Sequence, residues 1–169
     1  MRAPVSAYIG LGANLNDPAA QLRGALAELA QLPDTRMLSQ SRFYRSKPLG
    51  PQDQPDYLNA VAALGTRLEA LELMRHLQAI ELRHGRRRSP DSRWGPRNLD
   101  LDLLVYGDLA LQTPELTLPH PELHKRSFVL YPLAELAPDL VIPGRGLVRV
   151  LREHCRSPAI RLYEEGAHA

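Results

Sequence analysis

The sequence predicts an α+β fold in which helices pack on one face of an antiparallel sheet. Four stretches have the composition and sidedness of strands, and two longer stretches repeat apolar residues at helical spacing. Along the chain these stretches follow the order β-α-β-β-α-β, which is typical of the split βαβ or ferredoxin-like arrangement. The 169 residues are enough to bury a core, and we expect residues 1–169 to form a single domain.

The first half of this pattern is a strand, a helix and a second strand. VSAYIGLG (5–12) has the character of a short buried strand that ends in glycines. The helix after it takes Asn16 or Asp17 as its cap and repeats leucine at helical spacing. RMLSQSRFYRS (36–46) is expected to be a strand with one solvated face, and the prolines and glycine of 47–56 break the chain after it.

The second half continues with a strand, a helix and a strand. In the strand over 56–68, period two places Tyr57 and Asn59 on the same face. The helix over 69–84 is expected to stop at Gly85. The remaining predictions are a strand over 99–107, short helical pieces over 113–136 interrupted by Pro132, a helix over 146–155 and an edge strand over 160–165.

Composition excludes several classes of protein. A formal net charge of +2 argues against binding of polyanions by the overall charge of the molecule. The single cysteine, Cys155, excludes a disulfide framework or a cysteine zinc site within the chain. The apolar stretch near the N-terminus is too short and too rich in glycine for a signal peptide or a membrane span. We expect a cytoplasmic monomer that binds neither nucleic acid nor membranes.

Two aspartates in the strand over 99–107 are the first candidates for chemistry. Residues i and i+2 of an extended chain point to the same face, so Asp100 and Asp102 lie side by side, roughly 6–7 Å apart at Cα. Two close carboxylates repel each other unless a cation neutralises them, and hard oxygen ligands of this kind suit Mg²⁺. On spacing alone, a solvated strand face whose acids pair with arginines is an equally good interpretation.

A cluster of arginines precedes this strand in RHGRRRSPDSRWGPR (83–97). The guanidinium groups of Arg86, Arg88, Arg93 and Arg97 could neutralise a polyphosphate through paired hydrogen bonds. Beside a carboxylate pair that binds metal, these are the groups that phosphoryl transfer requires. An arginine run that stands alone is more often a solvated loop.

Other residues could complete a ligand site. His120 lies between two prolines in a fixed loop, LPHPELHKRSF, which suits contact with a phosphate, although a lone loop histidine is most often a surface residue. Tyr57, Trp94 and Phe128 lie in or beside these clusters, and flat rings with the amide of Asn59 could hold a planar heterocycle. Core packing is the alternative for each ring. The chain has no Walker A motif, and the Gly-x-Gly of GLGAN is too short to be informative.

With these motifs in view, the sequence closely resembles the 6-hydroxymethyl-7,8-dihydropterin pyrophosphokinase family of folate biosynthesis. RWGPRNLDLDLLVYG and GPQDQPDYLNA are its most specific matches. AYIGLGANL, FYRSKPL, IELRHGR and LPHPELHKRSFVLYPLAELAP extend the match over nearly the whole chain. The resemblance implies a ferredoxin-like α+β fold, the use of ATP with two Mg²⁺ ions, and transfer of the β,γ-pyrophosphoryl group to the hydroxymethyl oxygen of the pterin with release of AMP.

The resemblance also implies roles for individual residues. Asp100 and Asp102 would bind both metal ions and, with Arg86 and Arg97, form the catalytic group. The ATP contacts would be Gln78, Glu81, Arg86, Arg88, Arg97, His120 and Arg126. The pterin contacts would be Ser46, Pro48, Leu49, Tyr57, Asn59, Trp94 and Phe128, with Trp94 and the arginine loop closing over the site.

The residues alone leave two other functions open. Basic loops and exposed aromatics on a ferredoxin-like sheet are also typical of RNA-recognition domains, although the paired aspartates would repel a phosphate backbone and an RNP1-like strand is absent. A kinase that forms ADP on another small alcohol would use similar groups. No histidine or glutamate is evident as a general base, and Asp102 is the candidate to assist deprotonation of the alcohol.

Overall fold

The computed structural model describes residues 2–48, 53–85 and 98–164. In chain order its elements are β1 (Val5–Ala13), α1 (Pro18–Ala30), β2 (Thr35–Gln40), β3 (Tyr44–Ser46), β4 (Tyr57–Thr66), α2 (Ala70–Arg83), β5 (Asp100–Tyr106), β6 (Leu111–Gln112), β7 (Thr117–Leu118), α3 (Ser127–Leu136), β8 (Val141–Ile142), β9 (Gly146–Leu147), α4 (Val148–Glu153) and β10 (Ile160–Leu162). A 3₁₀ turn over Leu123–Lys125 precedes α3. The predicted β-α-β-β-α-β order is confirmed, with the second predicted strand divided into β2 and β3.

The main sheet has the strand order β10–β3–β4–β1–β5, and β2 pairs with the other end of β4. All of these pairings are antiparallel. The division between β2 and β3 follows from Ser41, whose Oγ accepts the N–H of Val61 at 2.9 Å and donates to the carbonyl of Arg42 at 2.8 Å. Because a side chain here replaces a backbone partner, the strand predicted over 36–46 is interrupted at this point.

Helices cover both faces of the sheet. α1 and α2 pack on the face that presents Ile9, Leu11 and Leu101. α3 packs on the opposite face against Val61 and Leu104. The two helices of the βαββαβ unit therefore lie on one face as predicted, and the segment after the unit covers part of the other. Within the three described stretches, none of the helices combines the length and the apolar character needed to span a bilayer.

Local signals set the ends of α1 and α2. The side chain of Asp17 accepts the N–H of Ala20 at 3.3 Å, and a proline follows at the start of α1. Glu69 and Glu72 form a capping box at the start of α2. Gly85 follows the end of α2 with a φ of +88°, a conformation that favours glycine. The predicted cap at Asp17 and the predicted stop at Gly85 are both present.

The prediction that Pro132 interrupts the third helical region is wrong. Pro132 lies inside α3, which is continuous. A proline in a helix removes one backbone donor and crowds the preceding turn. Val129, Leu130 and Leu133 are buried around it, and their burial holds the helix against the sheet in spite of that loss.

Candidate active site

Asp100 and Asp102 project from β5 onto the face of the sheet that α3 partly covers. Both residues are partly exposed, whereas Leu101 and Leu103 point into the core on the other face. Both aspartates therefore lie on one face, which is the arrangement that strand alternation predicts.

Two glycines of β1 lie directly opposite these aspartates. Gly12 pairs with Asp100 and Gly10 pairs with Asp102, so all four residues share one face. A Cβ added to Gly12 would lie 3.4 Å from Oδ1 of Asn59. Gly12 is partly exposed, so beside Asp100 the sheet presents backbone that a ligand can approach closely. Gly10 is buried, and a Cβ added there would lie 3.4 Å from Cδ1 of Leu104. The Gly-x-Gly motif repeats at the same two-residue period as Asp-x-Asp, and this shared period is the signal that could have identified the glycines.

Asn59 lies on the same row, one strand beyond Gly12. It pairs with Gly12 on one side and with Tyr44 on the other. Asn59 is only 3% exposed, and its Nδ2 donates to Oγ of Ser46 at 2.7 Å and to the carbonyl of Tyr44 at 3.4 Å. Ser46 in turn pairs with Tyr57. Three of the predicted pterin residues, Ser46, Tyr57 and Asn59, are thus brought together, and Pro48 follows two residues after Ser46.

A buried asparagine that sequence reasoning missed anchors the loop before β4. Asn14 is 2% exposed, and its Nδ2 donates to Oε1 of Gln54 at 3.0 Å and to the carbonyl of Pro55 at 2.9 Å. These bonds fix the approach to Tyr57 from the end of β1. The signal in the sequence is a polar residue that follows a buried strand at the period of Gly10 and Gly12.

Two hydrogen bonds, one from the backbone N–H of His120 and one to its ring, hold this residue in place. Its N–H donates to the carbonyl of Leu104 at 2.9 Å, and its Nδ1 accepts the N–H of Glu122 at 3.1 Å. An accepting Nδ1 places the ring proton on Nε2. Burial and, to a smaller extent, the charge of Arg126 together lower the pKa of His120 to about 4, although Asp100 and Glu122 act in the opposite direction. The ring is therefore neutral at physiological pH, with an N–H available at Nε2 as a donor.

Arg126 and Phe128 flank the start of α3. The guanidinium carbon of Arg126 lies 5.7 Å from the centre of the Phe128 ring. A cation over an aromatic face is attracted by the ring quadrupole, which favours a fixed relative position for the two side chains. The electrostatic influence of both Arg126 and Asp100 on His120 indicates that these three groups share one neighbourhood.

Gln78 and Glu81 lie on α2, which packs on the face opposite to the aspartates. Glu81 is 2% exposed, and its Oε2 accepts the N–H of Leu101 at 2.8 Å. Glu81 therefore lies at the β5 edge of the sheet and is separated from Asp100 and Asp102 by that strand, and Gln78 lies nearly one turn earlier on α2.

Some predicted site residues fall outside the described part of the chain. They are Leu49, Arg86, Arg88, Arg93, Trp94 and Arg97. The residues on either side of 86–97 are close to each other, because Nδ2 of Asn98 donates to the carbonyl of His84 at 2.8 Å. Asn98 also accepts from Nδ2 of Asn16 at 2.6 Å, which ties this point to the start of α1.

The aspartate pair fits a magnesium ion that is shared with a phosphate ligand. Among residues 2–48, 53–85 and 98–164, no group of three or more His, Cys, Asp or Glu side chains could hold a metal. Mg²⁺ is usually bound by one or two carboxylates together with waters and substrate phosphates. Two partly exposed carboxylates on one strand face, next to the partly exposed backbone of Gly12, meet that requirement.

Comparison with known proteins identifies the family. The sequence model of the 7,8-dihydro-6-hydroxymethylpterin-pyrophosphokinase family matches residues 8–138. Two similar proteins are both named 2-amino-4-hydroxy-6-hydroxymethyldihydropteridine pyrophosphokinase. The one from Haemophilus influenzae is 51% identical over 147 residues, which cover 87% of this chain and 91% of the relative. The one from Pseudomonas aeruginosa is 52% identical over 145 residues, with 85% and 88% covered.

A solved structure agrees with the fold. A crystal structure of Plasmodium falciparum HPPK-DHPS matches with a TM-score of 0.70 at 12% identity and covers 89% of this chain. The chain spans 45% of that longer protein. At such low identity the likeness shows the fold alone, and that fold is the predicted ferredoxin-like α+β arrangement. With the family model matched over most of the chain and two relatives above 50% identity, the chain belongs to the 7,8-dihydro-6-hydroxymethylpterin-pyrophosphokinase family.

Proposed function

We propose that the protein binds the metal and phosphates of ATP at the Asp100 end of the sheet face and the pterin at the Asn59 end. The overall reaction follows from the family. The protein is a pyrophosphokinase that transfers pyrophosphate to 6-hydroxymethyl-7,8-dihydropterin in folate synthesis. Enzymes of this family use ATP, which implies a divalent metal ion.

One row of residues across the sheet carries the assignment of the two ends. Asp100 pairs with Gly12, and Gly12 pairs with Asn59. Neighbouring strands lie about 4.8 Å apart, so β5 and β4 are separated by about 10 Å. A phosphate held near Asp100 and a hydroxymethyl group held near Asn59 can meet above Gly12, which carries no side chain and lies beside the Asn59 amide and the Tyr57 ring.

The charged groups at the β5 end suit a triphosphate. Asp100 and Asp102 would hold the divalent metal, which when bound neutralises phosphate charge and orients the transferred group. Arg126 and the Nε2–H of neutral His120 would donate hydrogen bonds to phosphate oxygens. Gln78 and Glu81 would line the nucleotide at the β5 edge. Further predicted phosphate contacts outside the described residues are Arg86, Arg88 and Arg97.

The polar and aromatic groups at the β4 end suit a pterin. Nδ2 of Asn59 already donates to Ser46 and Tyr44, so the atom of the amide that faces Gly12 is Oδ1. That oxygen would accept an N–H of the pterin ring. The rings of Tyr57 and Phe128 would pack against the heterocycle. Main-chain groups near Ser46, Pro48 and Leu49, together with Trp94, are the remaining predicted contacts.

In the proposed reaction the hydroxymethyl oxygen attacks the β-phosphorus of ATP in line with the leaving AMP. A bond forms from that oxygen to the β-phosphorus, and the bond from the β-phosphorus to the oxygen of the α-phosphate breaks. The proton of the alcohol is released, and Asp102 is the candidate acceptor. The residues act mainly by positioning the two substrates and stabilising charge, which is how phosphoryl transfer is generally catalysed.

Nucleotide product analysis tests this reaction. The protein is incubated with ATP and 6-hydroxymethyl-7,8-dihydropterin, with Mg²⁺ or with excess EDTA, and the nucleotides are separated by chromatography. We expect AMP to form in equal amount to the pyrophosphorylated pterin, and only when Mg²⁺ is present. Formation of ADP would identify a simple kinase instead. An RNA mobility shift without AMP formation would favour an RNA-binding module.

The number of metal ions needs a separate experiment. Mn²⁺ binding is measured by electron paramagnetic resonance on the protein saturated with a non-hydrolysable ATP analogue and the pterin. We expect two ions per chain, and Asp102→Asn should lose affinity for them. A single bound ion in the wild-type complex would contradict the proposed two-metal site.

A further inference from the structure

The C-terminal segment 157–163 lies between α3 and β3 and contacts both. At α3, the backbone N–H of Ser127 donates to the carbonyl of Ser157 at 3.1 Å, and the Ser127 hydroxyl donates to the carbonyl of Pro158 at 2.5 Å. Ser127 is completely buried. These hydrogen bonds are shielded from water, so they hold the segment firmly against the first turn of α3.

At β3 the same segment continues as the edge strand β10. Ile160 pairs with Ser46 in antiparallel register. The N–H of Tyr163 donates to the carbonyl of Phe43 at 2.9 Å, and the two rings stack with their centres 6.5 Å apart. The guanidinium carbon of Arg45 lies 5.4 Å from the centre of the Tyr163 ring. The segment therefore holds β3 along its whole length.

These contacts connect the two walls of the proposed pterin site. Ser127 directly precedes Phe128 in the first turn of α3. Ser46 accepts a hydrogen bond from the amide of Asn59 at 2.7 Å and so orients that amide. Residues 157–160 thus join the neighbour of Phe128 to the partner of Asn59 through bonds that are mostly backbone.

We propose that segment 157–163 is a positioning element of the pterin site, which sets the spacing between the Phe128 ring and the Asn59 amide. This inference rests on the proposed function, because Phe128 and Asn59 are assigned to the pterin there. A planar ring held between two walls needs a fixed gap, since misplacement by about 1 Å can weaken a positioned interaction strongly. The segment lies beyond the residues 8–138 that match the family model.

Two substitutions loosen the segment at opposite ends. Ser127→Ala removes the hydroxyl bond to Pro158, and Tyr163→Ala removes the ring contact with β3. Thr66→Val is the matched control, because Thr66 is an equally buried hydroxyl residue that accepts a backbone N–H at 3.1 Å at the far end of β4. Calorimetry with 6-hydroxymethyl-7,8-dihydropterin, in the presence of Mg²⁺ and a non-hydrolysable ATP analogue, gives the pterin Kd. Urea unfolding gives the stability of each variant.

We expect Ser127→Ala and Tyr163→Ala each to weaken pterin binding roughly 2- to 30-fold, the range for changes that act through a packed network. The Kd of the ATP analogue should be unchanged in Tyr163→Ala, whose ring contacts β3 and lies away from the proposed phosphate contact Arg126. Thr66→Val should lower stability and leave the pterin Kd unchanged. In the double variant, the fold increase in the pterin Kd should be smaller than the product of the fold increases in the two single variants. The reason is that either change alone already disconnects the same segment.

If the wild type binds the pterin, either of two results would overturn the inference. One is a pterin Kd in both single variants that equals that of Thr66→Val, and the other is a double variant whose loss equals the product of the single losses. Tyr163 is partly exposed, so its variant keeps the first comparison available if Ser127→Ala does not fold. Failure of the wild type to bind the pterin at all would overturn the proposed function instead.

Discussion

The Oε2 atom of Glu81 accepts the backbone N–H of Leu101 at 2.8 Å, between the two aspartates of β5. Leu101 pairs with Leu11 of β1, so β5 is held by the sheet on one side and by a side chain of α2 on the other. Glu81 is 2% exposed, and a hydrogen bond shielded from water in this way is stronger than one exposed to solvent. Family resemblance predicts Glu81 as a residue of the ATP pocket, and this contact adds that it positions the strand that carries Asp100 and Asp102.

Replacing Glu81 with alanine should lower both stability and turnover. A buried N–H without an acceptor costs about 1–3 kcal/mol, and β5 loses an anchor beside Asp100 and Asp102. Glu81→Gln keeps a carbonyl oxygen at the same place and should be much closer to the wild type. Urea unfolding and AMP release are measured on all three proteins. Equal losses in the alanine and glutamine variants would show that the hydrogen bond to Leu101 is not the cause.

Removing one carboxylate should abolish most of the metal-dependent activity. We expect Asp102→Asn to lower turnover at least about 100-fold, because even the outer partners of metal ligands contribute factors of about 10 to 100. The Mg²⁺ concentration for half-maximal rate should also rise. Asp108→Asn is the control, since Asp108 is an exposed acid in the turn after β5. Turnover of Asp102→Asn within a few-fold of the control would exclude a metal role for Asp102.

A methyl group on Gly12 should obstruct the path between the two substrate sites. The added Cβ would lie 3.4 Å from Oδ1 of Asn59, on the face that Asp100 shares. We expect kcat/KM for the pterin to fall by about 10- to 100-fold in Gly12→Ala, with little change in unfolding free energy. In the control Gly65→Ala, the Cβ would lie 3.3 Å from the exposed side chain of Leu38, which can move. Equal kinetics for both variants would contradict the proposed path above Gly12.

The raised pKa of Tyr44 leads us to expect a loss of stability at alkaline pH. Its hydroxyl donates to Oε1 of Glu135 at 2.6 Å, and burial together with this carboxylate raises the pKa of Tyr44 to about 12. The pKa of a tyrosine in an unfolded chain is about 10. Between these two values the unfolded chain releases the proton while the folded protein retains it. The stabilisation is therefore complete below the unfolded pKa and is lost as the pH rises through the folded pKa.

Tyr44→Phe should remove this part of the pH dependence. Urea unfolding of wild type and variant is compared at about pH 9, 10 and 11. The difference in unfolding free energy should be largest at the lowest of these values, where the wild type retains its bond to Glu135, and should shrink as the pH rises. A constant difference over the whole range would contradict the raised pKa of Tyr44.

Local patterns in the sequence were sufficient for most elements and for part of the site. The period-two alternation of 99–107 placed Asp100 and Asp102 on one face because side chains of an extended chain alternate wherever it pairs. The cap at Asp17 and the stop at Gly85 depend on backbone conformations that a few neighbouring residues decide. The local sequence does not predict that α3 continues through Pro132, because that continuity depends on burial of the helix against a distant sheet.

The relationships that make the candidate site depend on residues far apart in the chain. Gly12 lies between Asp100 and Asn59 only because β1 takes the position between β5 and β4. The contact between Glu81 and Leu101 requires α2 to pack along the edge of β5, and residues 157–160 reach Ser46 only after the chain has returned to the far edge of the sheet. Spacing along the chain thus decides which way each side chain faces within its own strand or helix. Which side chains then meet is decided by strand order and register, because these are set by burial of the whole apolar surface and not by any one segment.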